Sequence, residues 1–339
     1  MKSLLLVRLS AMGDLVQSLG AVASLHAIDP DWRVTIVTQR EWAPLLDGVI
    51  GIDRVVHFNR RGGLPAVWAL RRELRGENFD VAFDLQGNWK SALVTRLSGA
   101  RDRIGVSGAW RQEPRSRWLL RSTIDCDATP HPARAAWELI KQVAPDAPFC
   151  HPSLVATEAE LLDEQAVLQQ LGVATERPFR VVVVTDTADP RALRPLAVRE
   201  LTRDSMPAVL LLGPSESGMA TPVGMVVRHG RGDVRRMIAL GALVAKAGGE
   251  VLGPDQGATH VLLASGARGR VFFGSQDPHR TAPPSAEVFM GAGELACRPC
   301  RSRACKNPGG VVCMEFDAQT VVRIAASLPP IGATGAGPW

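Results

Sequence analysis

The chain has 339 residues, is 46% hydrophobic and 22% charged, and carries a net charge of +5. These proportions are those of a soluble globular protein of two domains, and no apolar run reaches the roughly 18 residues that span a bilayer. The opening MKSLLLVRLSAMGDL is interrupted by Arg8 and Asp14 and lacks a small-residue cleavage site, so no signal peptide is expected and a cytoplasmic location is.

In chain order, Leu4 to Val7 reads as a buried parallel strand. A loop of small residues follows, and a helix is expected from about Asp14 to Ala27. Strands are expected at Val34–Val37, Val55–Phe58 and Val81–Leu85, with a short helix at Trp42–Leu46 and an amphipathic one at Leu64–Leu74. A turn at Gln86-Gly87-Asn88 leads into a helix at Trp89–Leu97. A further helix near Ala133–Val143 precedes Pro145, Pro148 and Pro152, which mark a domain boundary. Glu158–Leu171 reads as a linking helix that Gly172 terminates. The second half opens with the strand Val181–Val184 and continues through strands at Val209–Leu212 and Met225–Val227, then a helix at Val234–Ala247. A last helix is expected at Thr320–Ser327 before a Pro/Gly-rich tail. Strands alternating with helices mean an α/β fold, here two doubly wound domains. The expected bounds are 1–155, 156–328 and a disordered tail, 329–339.

The stretch VLGPDQGATHVLLASGARGRVFFGSQDP, from Val251, carries the sharpest local signal. A strand ends at Gly253, a tight loop Pro254–Gly257 follows, and a helix begins near Ala258. In open α/β sheets ligands bind at the carboxyl edge of the strands. A helix start there offers free N–H groups to an anion, and Gly257 lets backbone approach a phosphate. A nucleotide diphosphate site is one reading; an ordinary turn with Asp255 as N-cap is the other. Neither half has G-x-G-x-x-G after its first strand and no P-loop is present, which disfavours a nicotinamide dehydrogenase and a P-loop NTPase.

The basic excess is local. Arg54, Arg60, Arg61, Arg71, Arg72 and Arg75 form one cluster, and Arg101, Arg103, Arg111, Arg115, Arg117 and Arg121 another. Such clusters suit an anionic partner or a solvated surface. Nucleic acid is the weaker choice of partner. Seven of the eight Trp precede residue 140 and are expected mostly in packing. Cys126 and Cys150 stand alone. Cys297, Cys300, Cys305 and Cys313 form C-x2-C-x4-C-x7-C, which could hold a structural zinc ion or simply pack as free thiols. Asp14 closes the first loop, where a carboxylate either caps the helix or takes a proton from an attacking hydroxyl.

Three segments together resemble glycosyltransferase family 9, the heptosyltransferases of lipopolysaccharide core assembly. They are LLVRLSAMGDLVQSLGAVASL, DVAFDLQGNWKSALVTRLSGARDRIGV with its D-x-Q-G-x-x-K-S pattern, and GPDQGATHVLLASGARGRVFFGSQDPHRTAPPS. The Cys-rich stretch also resembles many members. The resemblance implies two Rossmann-like doubly wound domains facing a cleft, of the GT-B type. It implies inverting, metal-independent transfer from an ADP-heptose-type donor to a hydroxyl of an anionic glycan or glycolipid, with peripheral contact at the inner membrane face and no required cofactor. By that resemblance Asp14 is the general base. Asp255, Gln256, Gly257 and His260 serve the donor, as does Glu216 on its ribose. Arg60, Arg61, Gln86 and Lys90 face the acceptor. The chain departs from the pattern at Gln256, where the family usually has Thr, and after the first strand of the second domain, where the family's diphosphate Lys is missing. Thr187, Arg191 and Arg194 stand in that loop, and an arginine there would supply the cation. Asp186 and Asp189 put unfavourable charge beside it. Asp125-Cys126-Asp127 has a metal-binding D-x-D form but lies away from the donor loop and is set aside.

Overall fold

The computed structural model describes residues 2–59, 61–108, 111–126, 131–203, 206–213, 226–229, 233–291, 293–302, 304–316 and 320–321. The chain divides after Ser153 into two compact units.

In the first unit, strands β1 (Ser3–Val7), β2 (Arg33–Gln39), β3 (Arg54–Phe58), β4 (Val81–Asp84), β5 (Asp102–Val106) and β6 (Ser122–Ile124) build one sheet, in the order β3-β2-β1-β4-β5-β6. Every pairing is parallel. The central strand β1 is apolar from Leu4 to Val7 and almost wholly buried, because helices cover both faces of a parallel sheet. Those helices are α1 (Met12–Ser18), α2 (Gly20–Ile28), α3 (Gly63–Arg75), α4 (Trp89–Leu97) and α5 (Pro132–Ile140). The single helix expected after β1 is two, joined at Leu19. Gly20 opens the second of them because a Cβ there would lie 2.2 Å from the Cys150 carbonyl oxygen. The last segment of this unit therefore packs directly against the α2 backbone.

The second unit repeats the plan. Strands β7 (Arg180–Val184), β8 (Ala208–Leu212), β9 (Val226–His229), β10 (Glu250–Pro254), β11 (Gly269–Phe273) and β12 (Ala286–Met290) lie in the order β12-β11-β10-β7-β8-β9, again all parallel. Helices α6 (Glu158–Gln170), α7 (Pro195–Leu201), α8 (Val234–Lys246), α9 (Gly257–Ala264) and α10 (Pro278–Thr281) complete it. Counted from its own first strand, each sheet has the same strand order. In each, the order reverses between the first and fourth strands, and the loops after those two strands open the crevice where doubly wound proteins bind ligands. The reversals lie at β1/β4 and at β7/β10.

Under the second sheet, Arg180 Nε donates to Glu250 Oε1 at 2.8 Å and Arg270 reaches Glu250 Oε2 at 3.3 Å, all three side chains being buried. Helix α6 starts with a capping box, Thr157 with Glu160, and is held to α8 by Arg235, whose Nη2 lies 2.6 Å from Glu160 Oε2. Hydrogen bonding from Arg235 pulls the Glu160 carboxyl down to about 2, against the opposing effect of burial. The unfolded chain then binds more protons at acid pH than the folded one. The stability this pair supplies should be complete above about 4.5 and fade as pH falls toward about 2. In Glu160→Gln the melting temperature should fall less steeply across that window, as followed by circular dichroism.

The expected strands and helices correspond to observed elements, with Val226–His229 standing for the one expected at Met225–Val227; Met225 itself lies outside the described residues. Strands β5, β6 and β12 and helices α7 and α10 were not separately expected from residue pattern. Apart from Thr320 and Val321, the last expected helix and the tail lie outside the described residues, as do Arg60, Trp110, Asp127 and Glu216. Among the described residues no helix is long and apolar enough to cross a membrane.

Candidate active site

The loop after β1 carries Asp14 in the first turn of α1, three residues beyond the N-cap Ala11. Asp14 therefore does not cap the helix. Its Oδ2 pairs with the guanidinium of Arg8, the residue directly after β1, and the Asp14 side chain keeps 31% of its surface exposed while Arg8 keeps 3%. Arg8 also donates to the Leu85 carbonyl after β4. A buried cation thus spans the strand reversal and holds the partly exposed carboxylate at its rim. Sequence reasoning assigned Arg8 no role; its signal was a charged residue ending a fully apolar central strand.

Gln86 reinforces the same loop from the β4 side. Its Oε1 accepts from the backbone N–H of Leu9 at 2.9 Å and of Ser10 at 3.2 Å, and its Nε2 donates to Ser10 Oγ. The residue is buried. Gln86, expected on the acceptor, also shapes the loop that carries Asp14. Behind it, buried Asp84 accepts from the N–H groups of Gln86 and Gly87 and from Arg111 Nη2 at 2.9 Å. Arg111 is consequently no part of a surface cluster: its charge is neutralised inside the unit. Asn88 caps α4 reciprocally with Ser91, and Lys90 stands exposed in its first turn. Arg61 is exposed beside a polar cavity of about 860 Å³ at the ends of β2 and β3, also lined by Gln39, Arg40, His57 and Asn59. Gln39 Nε2 ties that wall to the Leu9 carbonyl, next to the Asp14 loop.

In the second unit the loops after β7 and β10 meet. Gln256 Nε2 donates to Thr185 Oγ1 at 3.1 Å and to Asp189 Oδ2 at 3.3 Å. Arg191 chelates the same carboxylate, with Nε at 3.0 Å and Nη2 at 2.6 Å. Burial opposes ionisation of Asp189, yet hydrogen bonds from Arg191 hold its carboxyl below the ordinary range. The negative charge that looked unfavourable in the sequence is thus matched by Arg191, and Arg191 is no longer a spare cation. Arg194 differs: its guanidinium donates to the carbonyls of Thr187, at 3.0 Å, and Asp189, at 3.3 Å, and so keeps its charge over the loop. The Thr187 side chain is exposed there, while Asp186 turns back to accept from the Ala188 N–H.

No side chain caps α9, whose N-cap is Gln256, so its first-turn N–H groups, starting with Gly257, stay open to an anion. Asp255 and His260 lie beneath, both buried: His260 Nε2 is 2.9 Å from Asp255 Oδ1, and the Thr281 hydroxyl donates to Asp255 Oδ2 at 2.9 Å. These three side chains brace the loop through one another. Thr281 was missed because it follows 21 positions after His260 on a helix of a single turn.

The four cysteines Cys297, Cys300, Cys305 and Cys313 line one cavity of about 580 Å³ with Pro190 and Ser275. Burial raises the Cys313 thiol above its ordinary value; Arg298 counteracts this and the other three thiols add to it. The thiols share a space, but among the described residues no group of three or more His, Cys, Asp or Glu is arranged to hold a metal ion. In the D-x-D stretch Asp125 accepts from Ser107.

Residues 67–189 match the model of glycosyltransferase family 9 (heptosyltransferase). A stretch of 122 residues is 26% identical to the lipopolysaccharide core heptosyltransferase OpsX of Haemophilus influenzae, spanning 35% of this chain and 33% of that protein. Among solved structures, a glycosyl transferase family 9 protein of Veillonella parvula superposes with a TM-score of 0.78 at 15% identity, covering 96% of both chains. The E. coli heptosyltransferase WaaC, solved with ADP-2-deoxy-2-fluoro heptose, gives 0.69 at 20% identity over 96% of this chain and 99% of its own. At these identities the superpositions speak for the fold, two Rossmann-like units of the GT-B kind. The match to glycosyltransferase family 9 runs across the junction of the units, so over residues 67–189 the chain is similar to that family, and its two strand reversals share one design.

Proposed function

We propose that the protein transfers a heptose, or a closely similar sugar, from an ADP-heptose-type donor to a hydroxyl of an anionic glycolipid such as a lipopolysaccharide inner core. The observation that carries this is the division of chemistry between the two strand reversals. The first offers a partly exposed carboxylate on a hydrogen-bonded loop. The second offers uncapped N–H groups and a cation.

In the reaction, the acceptor hydroxyl gives its proton to Asp14 as its oxygen bonds to the anomeric carbon. The bond from that carbon to the diphosphate oxygen breaks, and ADP leaves with the electron pair. A single displacement of this kind inverts the anomeric centre. The negative charge that grows on the diphosphate is met by the first turn of α9 and by Arg194. Arg8 and Gln86 keep Asp14 in place, and Asp255, His260 and Thr281 keep the α9 entrance in place. Glu216 is assigned to the donor ribose, and Arg60, Arg61 and Lys90 to the acceptor's anionic groups. The scheme uses no metal. Zinc on the four cysteines would require their thiols to converge more closely than they do among the described residues. Metal analysis of the purified chain decides that point: one zinc per chain supports it and none removes it.

The experiment is titration of the full chain with ADP-heptose and ADP by calorimetry, followed by product analysis with a de-acylated core acceptor. Binding of the sugar nucleotide and acceptor-dependent release of ADP with inversion support the reading. Arg194→Met should weaken ADP binding about tenfold or more, the loss of a charge-assisted contact. Arg191→Met should act through loosening of the 185–191 loop.

The tethering of Asp189, Arg191 and Gln256 to one another favours a second reading, a non-catalytic nucleotide-sugar-binding protein. Tight donor binding without turnover on any glycan acceptor would select it.

A further inference from the structure

Helices α3 and α4 connect β3 to β4 and β4 to β5, so right-handed crossovers put both on one face of the first sheet; they touch, and α4 also touches the turn of helix at Pro114–Leu119. This face is unlike the opposite one, where α1 and α2 are packed by α5. Each of the two helices exposes an apolar pair one turn apart: Leu64 and Trp68 at 75% and 61%, Trp89 and Leu93 at 41% and 39%. Trp118, on the adjoining turn, is 68% exposed. Most tryptophans were expected in core or domain-edge packing, and three of them stand exposed on these adjoining segments.

Charge completes the pattern. Arg61, Arg72, Lys90, Arg96, Arg115 and Arg117 are exposed on or beside the same segments, and among the described residues none has a carboxylate within ion-pair distance. Of the acids there, Glu73 is bound to Arg54 at 2.8 Å, and Glu113 accepts from the Trp89 N–H at 2.6 Å. Arg71 lies over the Trp68 ring at 5.2 Å. Indole rings flanked by cations match the headgroup region of a membrane, where the ring enters the acyl boundary and the cations meet lipid phosphates. Helix starts in a parallel sheet lie at the carboxyl edge of the strands. The pairs at 64/68 and 89/93 therefore sit at the same edge as Asp14.

We infer that this face docks on an anionic lipid bilayer, with Trp68, Trp89 and Trp118 entering the interface. The inference deepens the acceptor assignment above, since a lipid-borne acceptor would be delivered to the edge that holds Asp14. Its test needs no turnover.

The full chain is floated with vesicles of phosphatidylcholine alone and of phosphatidylcholine mixed with phosphatidylglycerol, and calorimetry with ADP reports separately on the second unit. Wild-type protein should float only with the anionic vesicles, with a blue shift of tryptophan emission. Arg72→Gln and Arg117→Gln should each lower the partition coefficient about fivefold. Trp68→Ser combined with Trp118→Ser should reduce it further and remove most of the blue shift, with ADP binding unchanged. Equal flotation with both vesicle types, or variants that float like wild type, overturns the inference. So does a chain that floats with neither while the Trp variants change its oligomeric state, because the face then belongs to a protein partner. Flotation without any transferase activity would leave the docking face standing and remove only the catalytic reading.

Discussion

Asp14→Ala should lose acceptor-dependent turnover by a factor on the order of a hundred to ten thousand, the range general-base catalysis contributes, while its dissociation constant for ADP stays within about twofold of wild type. The reasoning is positional. Asp14 is a partly exposed carboxylate at the first strand reversal, and ADP is assigned to loops of the other unit. Removing Asp14 also leaves Arg8 without its anionic partner, so some thermal destabilisation is expected alongside. Asp14→Asn separates the two effects. It keeps a hydrogen-bond acceptor for Arg8 and should recover much of the melting temperature without recovering the rate. A rate within tenfold of wild type in Asp14→Ala would end the base assignment. Comparison of kcat with the acceptor KM places the loss: it belongs in kcat if the residue acts on the proton in flight.

Asp84→Ala is the second large effect and acts through folding. Its carboxylate is fully buried and serves three donors: Arg111 and the N–H groups of Gln86 and Gly87. Truncation strands the Arg111 guanidinium inside the unit and frees the turn that clamps the Asp14 loop. Breaking one partner of a buried pair costs about 3–5 kcal/mol, comparable with a large part of a domain's stability. The denaturation midpoint of the first unit should fall accordingly. At temperatures where the variant remains folded, turnover should still drop, because Gln86 no longer positions Leu9 and Ser10. The double variant Asp84→Leu with Arg111→Met replaces the pair by apolar groups and should regain most of the stability. A midpoint unchanged in Asp84→Ala would show that the pair is solvated in the folded chain.

The strands that carry both sites were legible because their residues leave little choice. Leu4 to Val7 and Val181 to Val184 are unbroken apolar runs, and a segment buried on both faces has no other composition. The edge strands were not. β6 has three residues, STI, none of them buried, and β12 reads AEVFM with a charge inside it, so neither shows the run that marks a central strand. The helix after β1 looked continuous because its apolar spacing runs through Leu19; the close approach of Cys150 to Gly20, far away in sequence, had no local signal. At the sites, the loop positions of Asp14, Gln86 and Asp255 to His260 could be read from strand ends and helix starts. Their partners could not. Nothing local links Arg8 to Leu85, Gln86 to Ser10, or Thr281 to Asp255, because each pairing crosses between strands that become neighbours only in the folded sheet. The charged clusters show the same limit from the other side. Arg111 and Arg117 sit six positions apart and look alike in sequence, yet one is neutralised in the interior and the other lies open on the surface.

The amide of Gln256, bound at once to Thr185 and Asp189, makes two distant stretches of the chain answerable to each other. A shorter side chain at 256 would leave Asp189 to Arg191 alone and open the space between the loops. A neutral residue at 189 would leave the Gln256 amide half satisfied. Substitutions at either position should therefore be tolerated in company better than singly. The two loops are therefore one unit of structure, and a change in either is felt in both.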